Sequence, residues 1–207
     1  MLVLFEAKPL VTIMTTLLNK HTGVTPQALA GIAHMPTQSL SILMDDDFAQ
    51  GLTDSNFMRI AVLLAQKSYD EGGCPSAAVI VNNSTQQIVG KGHNTLTQED
   101  HPYNHGETSA MRDAGRIDFS QTTLYTSLSP CVVCATVLYM RCFSRVVVGD
   151  ITNASGTEAL LQEKGVQVDI LEDQLGIALY ARFRTEKPEQ DLEDWRGLSA
   201  VQKHYTK

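Results

Sequence analysis

Two short segments of the chain carry residue types that bind metal ions, and each is predicted to begin a helix. One runs from His105 to Glu107, and the other contains Cys131 and Cys134. Residues three apart share one face of a helix, so both cysteines can reach one ion. The partial positive charge of a helix N-terminus favours their thiolate forms. With a nitrogen from His105, the sequence predicts three protein ligands for one zinc ion.

Glu107 adds a group that can lie beside this metal without binding it. Three protein ligands leave the fourth tetrahedral position to water, as in catalytic zinc sites, and zinc lowers the pKa of that water to about 7. Glu107 follows His105 by two positions. We therefore expect Glu107 to move protons from the water to the ring nitrogen and the leaving amine of an amidine. The spacing H-x-E…P-C-x-x-C is typical of zinc deaminases, which release ammonia and leave a carbonyl group.

Other roles for these residue types are weighed against the catalytic site. A redox pair of cysteines usually follows a strand in a thioredoxin-like layout, and it needs no upstream histidine and glutamate. A structural zinc site usually has a fourth Cys or His at short spacing. His93 and His101 are competing nitrogen donors, but neither has a glutamate two positions later. Cys74 and Cys142 are predicted to be packed thiols rather than ligands.

The apolar pattern predicts the elements that position these residues. A helix over 55–69 gathers its apolar residues on one face, with Asp54 or Ser55 as its N-cap. A hairpin follows, and strands and helices then alternate. The predicted strands are 76–83, 86–92, 122–127, 145–150 and 166–170, and the later helices are 106–115, 130–142, 158–165 and 175–186. Such alternation implies βαβ crossovers, so we expect an α/β fold: a three-layer α/β/α sandwich with a mixed, mainly parallel sheet.

The chain is predicted to be one domain with an N-terminal appendage. Its 207 residues, 43% of them hydrophobic, suffice for a single core. We place a zinc-dependent deaminase domain at 55–207, with Pro130 in the first turn of its helix and a short helix around 191–205. Residues 1–54 form an extension of unknown role. A faint helix-turn-helix pattern at 24–44 lacks the Lys and Arg that contact DNA. We expect this segment to pack on the domain, to pack at a subunit interface, or to be a poorly ordered leader.

Charge and hydropathy limit the partners of the protein. The net charge of −7 argues against coating of duplex nucleic acid, because that affinity comes mainly from many Lys and Arg. No stretch approaches the roughly 18 apolar residues that would span a bilayer. We therefore expect a cytoplasmic protein that binds neither membranes nor duplex nucleic acid.

The chain resembles the cytidine and cytosine deaminase superfamily, and within it the fungal-type cytosine deaminases and their bacterial relatives. The resemblance extends over about 57–197 and is carried by the segments YDEGGCP, GKGHN, NHGETSAM, TTLYTSLSPCVVC, RVVVGD, LQEKG and EKPEQDLED. It implies the sandwich of the cytidine-deaminase type, one Zn²⁺ per subunit and a homodimer. It also implies deamination of a free base, cytosine to uracil and ammonia, as part of nucleobase metabolism and pyrimidine salvage.

The resemblance further implies which residues bind the base. Asn94, the asparagine of GKGHN, corresponds to the residue that hydrogen-bonds the pyrimidine ring, and its amide is both donor and acceptor. Asp194, the last residue of EKPEQDLED, corresponds to the residue that faces the exocyclic amine. Leu128 and Ser129 correspond to the residues that supply backbone contacts. The alternatives to substrate binding are that Asn94 serves only to form a turn and that Asp194 is a helix residue exposed to solvent.

Three pocket positions depart from the fungal pattern and leave the substrate open. Ser76, Ala154 and Asp191 stand where an isoleucine, a phenylalanine and a tryptophan are expected. Two fewer aromatic rings mean less stacking and more room, and the added carboxylate suggests a more polar or amine-rich base. Isocytosine, creatinine and guanine are therefore alternatives to cytosine. Less favoured are an inactive zinc-binding scaffold and a tRNA adenosine deaminase, whose relatives usually show H-A-E and E-P-C instead of HGE and SPC.

Overall fold

Five strands and seven α-helices make up the part of the chain that the computed structural model describes, residues 53–192. A single turn of 3₁₀ helix, Phe119–Gln121, leads into the third strand. In chain order the elements are α1 (Asp54–Asp70), β1 (Ala77–Asn82), β2 (Ile88–His93), α2 (Leu96–Glu99), α3 (Gly106–Ala114), β3 (Thr122–Thr126), α4 (Val132–Met140), β4 (Arg145–Val148), α5 (Glu158–Glu163), β5 (Gln167–Ile170), α6 (Gln174–Glu186) and α7 (Pro188–Asp191).

The five strands form one mixed sheet in the order β2-β1-β3-β4-β5. Strand β1 is antiparallel to both of its neighbours, whereas β3, β4 and β5 are parallel to one another. All strands except β1 therefore run in the same direction, which confirms the predicted mixed, mainly parallel sheet. The start of β1 at Ala77 pairs with His93, and Ala78 pairs with Thr126. This edge of the sheet thus joins the amino end of β1 to the carboxyl ends of the other strands.

Helices cover both faces of the sheet, as the alternation of apolar residues along each strand requires. Helices α1 and α6 pack on one face, where their core partners from the strands are Val79, Tyr125 and Val147. Helices α3, α4 and α5 pack on the other face against Ile80, Leu124 and Val146. Neighbouring residues of one strand therefore belong to opposite cores, and the predicted three-layer α/β/α sandwich is confirmed.

Close packing fixes helix α3 against the sheet. A Cβ atom at Gly92 of β2 would lie 2.5 Å from the backbone nitrogen of Ala110 in α3. A Cβ atom at Gly106, the first residue of α3, would lie 2.5 Å from the Cα atom of Ala77 in β1. Only glycine permits such approach, so the N-terminus of α3 lies against the start of β1.

Two helix starts differ from the sequence prediction. The N-cap of α1 is Thr53, not Asp54 or Ser55, because the Asn56 Oδ1 accepts a hydrogen bond of 2.9 Å from the Thr53 N–H. The Asp54 carboxylate instead accepts hydrogen bonds from Arg145, at the start of β4. Pro130 precedes α4 rather than lying in its first turn, since Cys131 is the N-cap.

Some predictions fall on parts of the chain outside the described residues. These are Asp194, the helix expected beyond residue 192, and the packing of residues 1–52. The division of the chain after residue 54 stays a prediction. Within residues 53–192, no helix combines the length and the apolar character needed to cross a membrane.

Candidate metal centre

The three predicted ligands meet at two helix N-termini beside one edge of the sheet. His105 is the N-cap of α3, and Cys131 is the N-cap of α4. Cys134 lies in the first turn of α4, where its backbone N–H is 3.5 Å from the Cys131 Sγ. Both N-caps have extended backbone, which turns each chain sharply into its helix. Capping geometry and the packing of α3 thus place the ligands, as the i to i+3 spacing predicts.

The distances between these donor atoms suit zinc. The His105 Nδ1 lies 3.5 Å from the Cys131 Sγ and 3.6 Å from the Cys134 Sγ. A zinc ion with Zn–N of about 2.1 Å, Zn–S of about 2.3 Å and tetrahedral angles separates nitrogen from sulfur by about 3.6 Å. Within residues 53–192, these residues form the sole cluster of three possible metal ligands. Donor types and spacing both fit a catalytic zinc site with three protein ligands.

The two thiols are coupled electrostatically. A hydrogen bond from the Cys134 thiol, opposed by burial and aided by His105, lowers the pKa of the Cys131 thiol to about 4. The same hydrogen bond, together with burial and the nearby Glu107, raises the pKa of the Cys134 thiol. Cys131 therefore ionises more readily than Cys134. The two thiols could together hold a divalent cation, whose binding would favour the thiolate form of both.

Glu107 is buried next to the ligands, with 3% of its surface exposed. It lies in the first turn of α3 and outside the cluster of ligands. The Thr126 Oγ1 at the end of β3 lies 3.4 Å from the Glu107 Oε1. Burial raises the pKa of this carboxyl, and the His105 side chain opposes the shift. A carboxyl group that water does not solvate, held beside a zinc site, is suited to short proton transfers.

Asn94 lies immediately after β2 at the same edge and is 1% exposed. Its backbone N–H donates to the Ser76 carbonyl at 2.7 Å, so the structure brings these two predicted pocket residues together. The Leu96 N–H donates to the Asn94 Oδ1 at 3.1 Å. This bond distinguishes the oxygen of the Asn94 amide from its nitrogen and so fixes the orientation of the amide group. Within residues 53–192, the Asn94 Nδ2 donates no hydrogen bond, so it is available to a ligand.

Leu128 and Ser129 connect β3 to the cysteines. The Ser129 N–H donates to the Asp150 carbonyl at 2.9 Å, and the Leu128 carbonyl accepts from the Thr126 hydroxyl at 2.9 Å. These backbone groups are therefore already engaged within the protein. The Leu128 side chain belongs to a buried cluster against which Ala154 packs. Leu128 and Ala154 thus belong to the same apolar region of the protein.

Asp191 is buried at the end of α7, with both carboxylate oxygens bound by the protein. Its Oδ1 accepts from the Tyr180 hydroxyl at 2.8 Å, and its Oδ2 accepts from the Arg184 Nε at 2.9 Å. Arg184 also donates to the Asn153 carbonyl at 2.8 Å, next to Ala154. The sequence analysis did not identify Tyr180 or Arg184. Their spacing of four residues on α6 is the feature that puts both on one face.

The comparisons with known proteins agree with this geometry. Residues 52–150 match the family described as the cytidine and deoxycytidylate deaminase zinc-binding region. A cytosine deaminase from Candida albicans is 41% identical over 144 residues, which cover 68% of this chain and 95% of that protein. The chain belongs to this zinc-dependent deaminase family. Zinc is accordingly its cofactor.

Other proteins similar to this deaminase are named for different substrates. A tRNA-specific adenosine deaminase from Bacillus subtilis is 30% identical over 145 residues, covering 63% of this chain and 89% of that protein. The structure of guanine deaminase from Nitrosomonas europaea superimposes with a TM-score of 0.58 at 16% identity, covering 80% of this chain and 96% of that one. At that identity the likeness shows the fold alone.

The other cysteines and histidines among residues 53–192 lie outside the cluster of ligands. Cys74 is buried, as predicted for a packed thiol. The same prediction for Cys142 was wrong, because this residue follows α4 with a positive φ of 59° and is exposed. His93 lies 2.9 Å from Glu71 and 3.3 Å from Lys67. Neither His93 nor His101 belongs to the cluster.

Proposed function

We propose that this deaminase hydrolyses the exocyclic amino group of a small free base, with cytosine as the leading substrate and uracil and ammonia as products. The supporting observation is the buried Glu107 beside three zinc donors at tetrahedral spacing. The likeness to a cytosine deaminase over 95% of that protein supports the choice of base.

In this proposal Glu107 carries the protons of the reaction. When bound, zinc supplies Lewis acidity that makes water a nucleophile at neutral pH. Glu107 accepts a proton from the attacking water and delivers protons to the ring nitrogen and to the amino group, which leaves as ammonia. Burial keeps bulk water away from this carboxyl. The Thr126 hydroxyl lies beside its Oε1 atom.

Asn94 and Asp194 orient the base. The Leu96 N–H holds the Asn94 amide, which leaves its Nδ2 to donate to a ring acceptor. Asp194 accepts a hydrogen bond from the exocyclic amine, as the family resemblance implies. Leu128 and Ala154 contact the ring, with Ser76 near Asn94 and Ser129 beside the zinc ligands.

A larger base is a second candidate because of the small side chains in this region. Ala154, which packs against the cluster that contains Leu128, has only a methyl group where a phenylalanine is expected. Ser76 is likewise short where an isoleucine is expected. The space released by these substitutions favours a base with a second ring, such as guanine, over the smaller isocytosine and creatinine.

We also infer that the protein acts as a cytoplasmic homodimer in pyrimidine salvage. Helix α4 supports the dimer, because Val132 and Val133 in its first turn are 64% and 53% exposed. Single exposed residues are common, but two adjacent ones at the start of a helix favour a partner surface. In this scheme residues 55–207 form the deaminase domain, and residues 1–54 form an added extension.

The test is ammonia release from zinc-loaded protein with cytosine, isocytosine, creatinine, guanine, cytidine and a tRNA anticodon stem-loop. We expect cytosine to have the highest kcat/KM and the tRNA fragment to be inert. If guanine is turned over fastest, guanine replaces cytosine as the proposed substrate, and the proposed zinc-dependent deamination is unchanged. Dominant turnover of the tRNA fragment would overturn the assignment of a free base, and release by a Glu107→Gln control would overturn the role of Glu107.

A further inference from the structure

A groove lies between the C-terminal ends of α3 and α4, at the opposite end of both helices from the zinc ligands. Its lining includes Met111, Ile117, Val137, Met140 and Cys142. Met140 is 68% exposed and Ile117 is 39% exposed. Large apolar side chains exposed together favour contact with another segment of protein.

Arginines surround this apolar floor. Arg112, Arg116 and Arg141 line the groove, against one acidic lining residue, Asp118. Arg112 pairs with Glu99 at 3.8 Å, between side chains that are 60% and 46% exposed. Within residues 53–192, neither Arg116 nor Arg141 forms an ion pair. On a chain with a net charge of −7, this local excess of arginine indicates an acidic occupant with apolar side chains.

A segment of the same chain has this composition. Residues 42–48 read Ile-Leu-Met-Asp-Asp-Asp-Phe, so three carboxylates stand between apolar residues. No Lys or Arg occurs from residue 21 to residue 58. The segment therefore complements the groove in both charge and apolarity. It also precedes the match to the deaminase family, which begins at residue 52.

The start of the described chain lies at the same edge of the sheet as the groove. The Asp54 carboxylate, at the start of α1, accepts a hydrogen bond of 2.6 Å from Arg145. Arg145 begins β4, only three residues after Cys142 of the groove. Phe119, which also lines the groove, precedes β3 at this same edge. The five residue steps from Phe48 to Thr53 span at most about 18 Å when extended, which limits residues 42–48 to surfaces close to the start of α1.

We propose that residues 42–48 dock in this groove, with Asp45, Asp46 and Asp47 on Arg116 and Arg141 and the flanking apolar residues on the Met140 surface. The docking is independent of the substrate of the deaminase. It assigns the N-terminal extension to the outer face of α3 and α4, away from the catalytic centre.

Cys142 provides the first test, because its exposed thiol lies in the groove. In zinc-loaded full-length protein, Asp46→Cys introduces a thiol into the docking segment, and diamide oxidises nearby thiol pairs to disulfides. We expect an intramolecular bond to Cys142, identified by mass spectrometry, at least about tenfold faster than for the control Ser39→Cys. The longer tether of position 39 accounts for only about threefold of this difference, and docking raises the effective concentration further. A difference of about threefold or less would overturn the proposal. A bond to Cys142 of a second copy would also overturn it.

Charge exchange provides the second test. Arg116→Glu with Arg141→Glu is expected to slow the cross-link from position 46 about tenfold, because like charges then face each other. Lys164→Glu, on the surface outside the groove, serves as the matched control and is expected to leave the rate unchanged. Adding Asp45→Lys and Asp47→Lys to the reversed groove is expected to restore the rate. Failure of this rescue, with the fold intact by circular dichroism, would contradict the docking.

Discussion

At the scale of single residues, a substitution of Glu107 distinguishes its proposed role in proton transfer from a role as a zinc ligand. Glu107→Gln keeps the shape of the side chain and removes its capacity to accept a proton. We expect kcat to fall by about 10²- to 10⁴-fold, the usual contribution of a general acid–base group. Zinc content, measured by atomic absorption, should stay near one per chain. Loss of the metal in this variant would place Glu107 among the ligands instead.

Asp191 allows a second test at this scale, because both of its oxygens are bound by Tyr180 and Arg184. Asp191→Asn removes the negative charge that accepts the hydrogen bond from Arg184. We therefore expect the free energy of unfolding to fall by about 1–3 kcal/mol. The KM for the base should change less than about threefold, since an interaction made with the protein alone adds nothing to substrate binding. A large rise in KM with unchanged stability would instead place the Asp191 carboxylate on the substrate.

The sequence predicts some of these residues far better than others, for a physical reason. His105, Cys131 and Cys134 are identified by spacing, because helix geometry converts i to i+3 into proximity. The partners of Asp191 depend on how α7 folds back on α6, and the local sequence does not encode that contact. The exposure of Cys142 depends on the left-handed backbone after α4. Neither feature follows from residue type.

At the scale of elements, a network of ion pairs ties the start of α1 to the central strands. Arg145 of β4 contacts Asp54 and Asp169, each at 2.6 Å. The hydrogen bond from Arg145, opposed by partial burial, lowers the pKa of the Asp54 carboxyl. A carboxyl group with a lowered pKa in the folded state stabilises the fold above its unfolded pKa, and this stabilisation is lost as pH falls through the folded pKa.

Asp54→Asn tests this link between elements. We expect a loss of about 0.5–1 kcal/mol at pH 7, because the pair is partly exposed to solvent. The difference from the unsubstituted protein should begin to shrink as pH falls below the unfolded pKa of about 4. It should vanish only below the lowered folded pKa, where the carboxyl group is protonated in both states. Urea unfolding at several pH values measures it. Asp70→Asn on the same helix is the control, because Asp70 contacts the neutral Gln66. A difference that persists at low pH would contradict the ion-pair explanation.

The order of elements is predicted well from the sequence, whereas their ends are not. Alternating apolar residues indicate which strand positions face each core, and the glycine-bounded helices follow the 3.6-residue period. The N-cap of α1 escaped prediction because the Asn56 side chain, rather than Asp54, makes the local hydrogen bond to Thr53. Asp54 is held by a contact 91 residues away, which no local pattern indicates.

At the scale of the whole molecule, zinc joins segments that the fold brings together from different crossovers. His105 precedes α3, whereas Cys131 and Cys134 belong to the start of α4. Binding to the folded state alone stabilises it by about 3–4 kcal/mol when free zinc is 100- to 1,000-fold above Kd. For a chain of this size we expect chelation to lower Tm by about 6–16 °C, reversibly on return of zinc. Differential scanning calorimetry measures the shift.

Glu107→Gln should retain the shift in Tm because it keeps all three ligands, and His105→Ala should lose most of it. An equal shift in His105→Ala would mean that the stabilising metal binds elsewhere. Because α3 is fixed to β1 and β2 through Gly106 and Gly92, the stabilisation should reach the sheet. Amide exchange in β1 should therefore quicken on chelation along with exchange in α3 and α4.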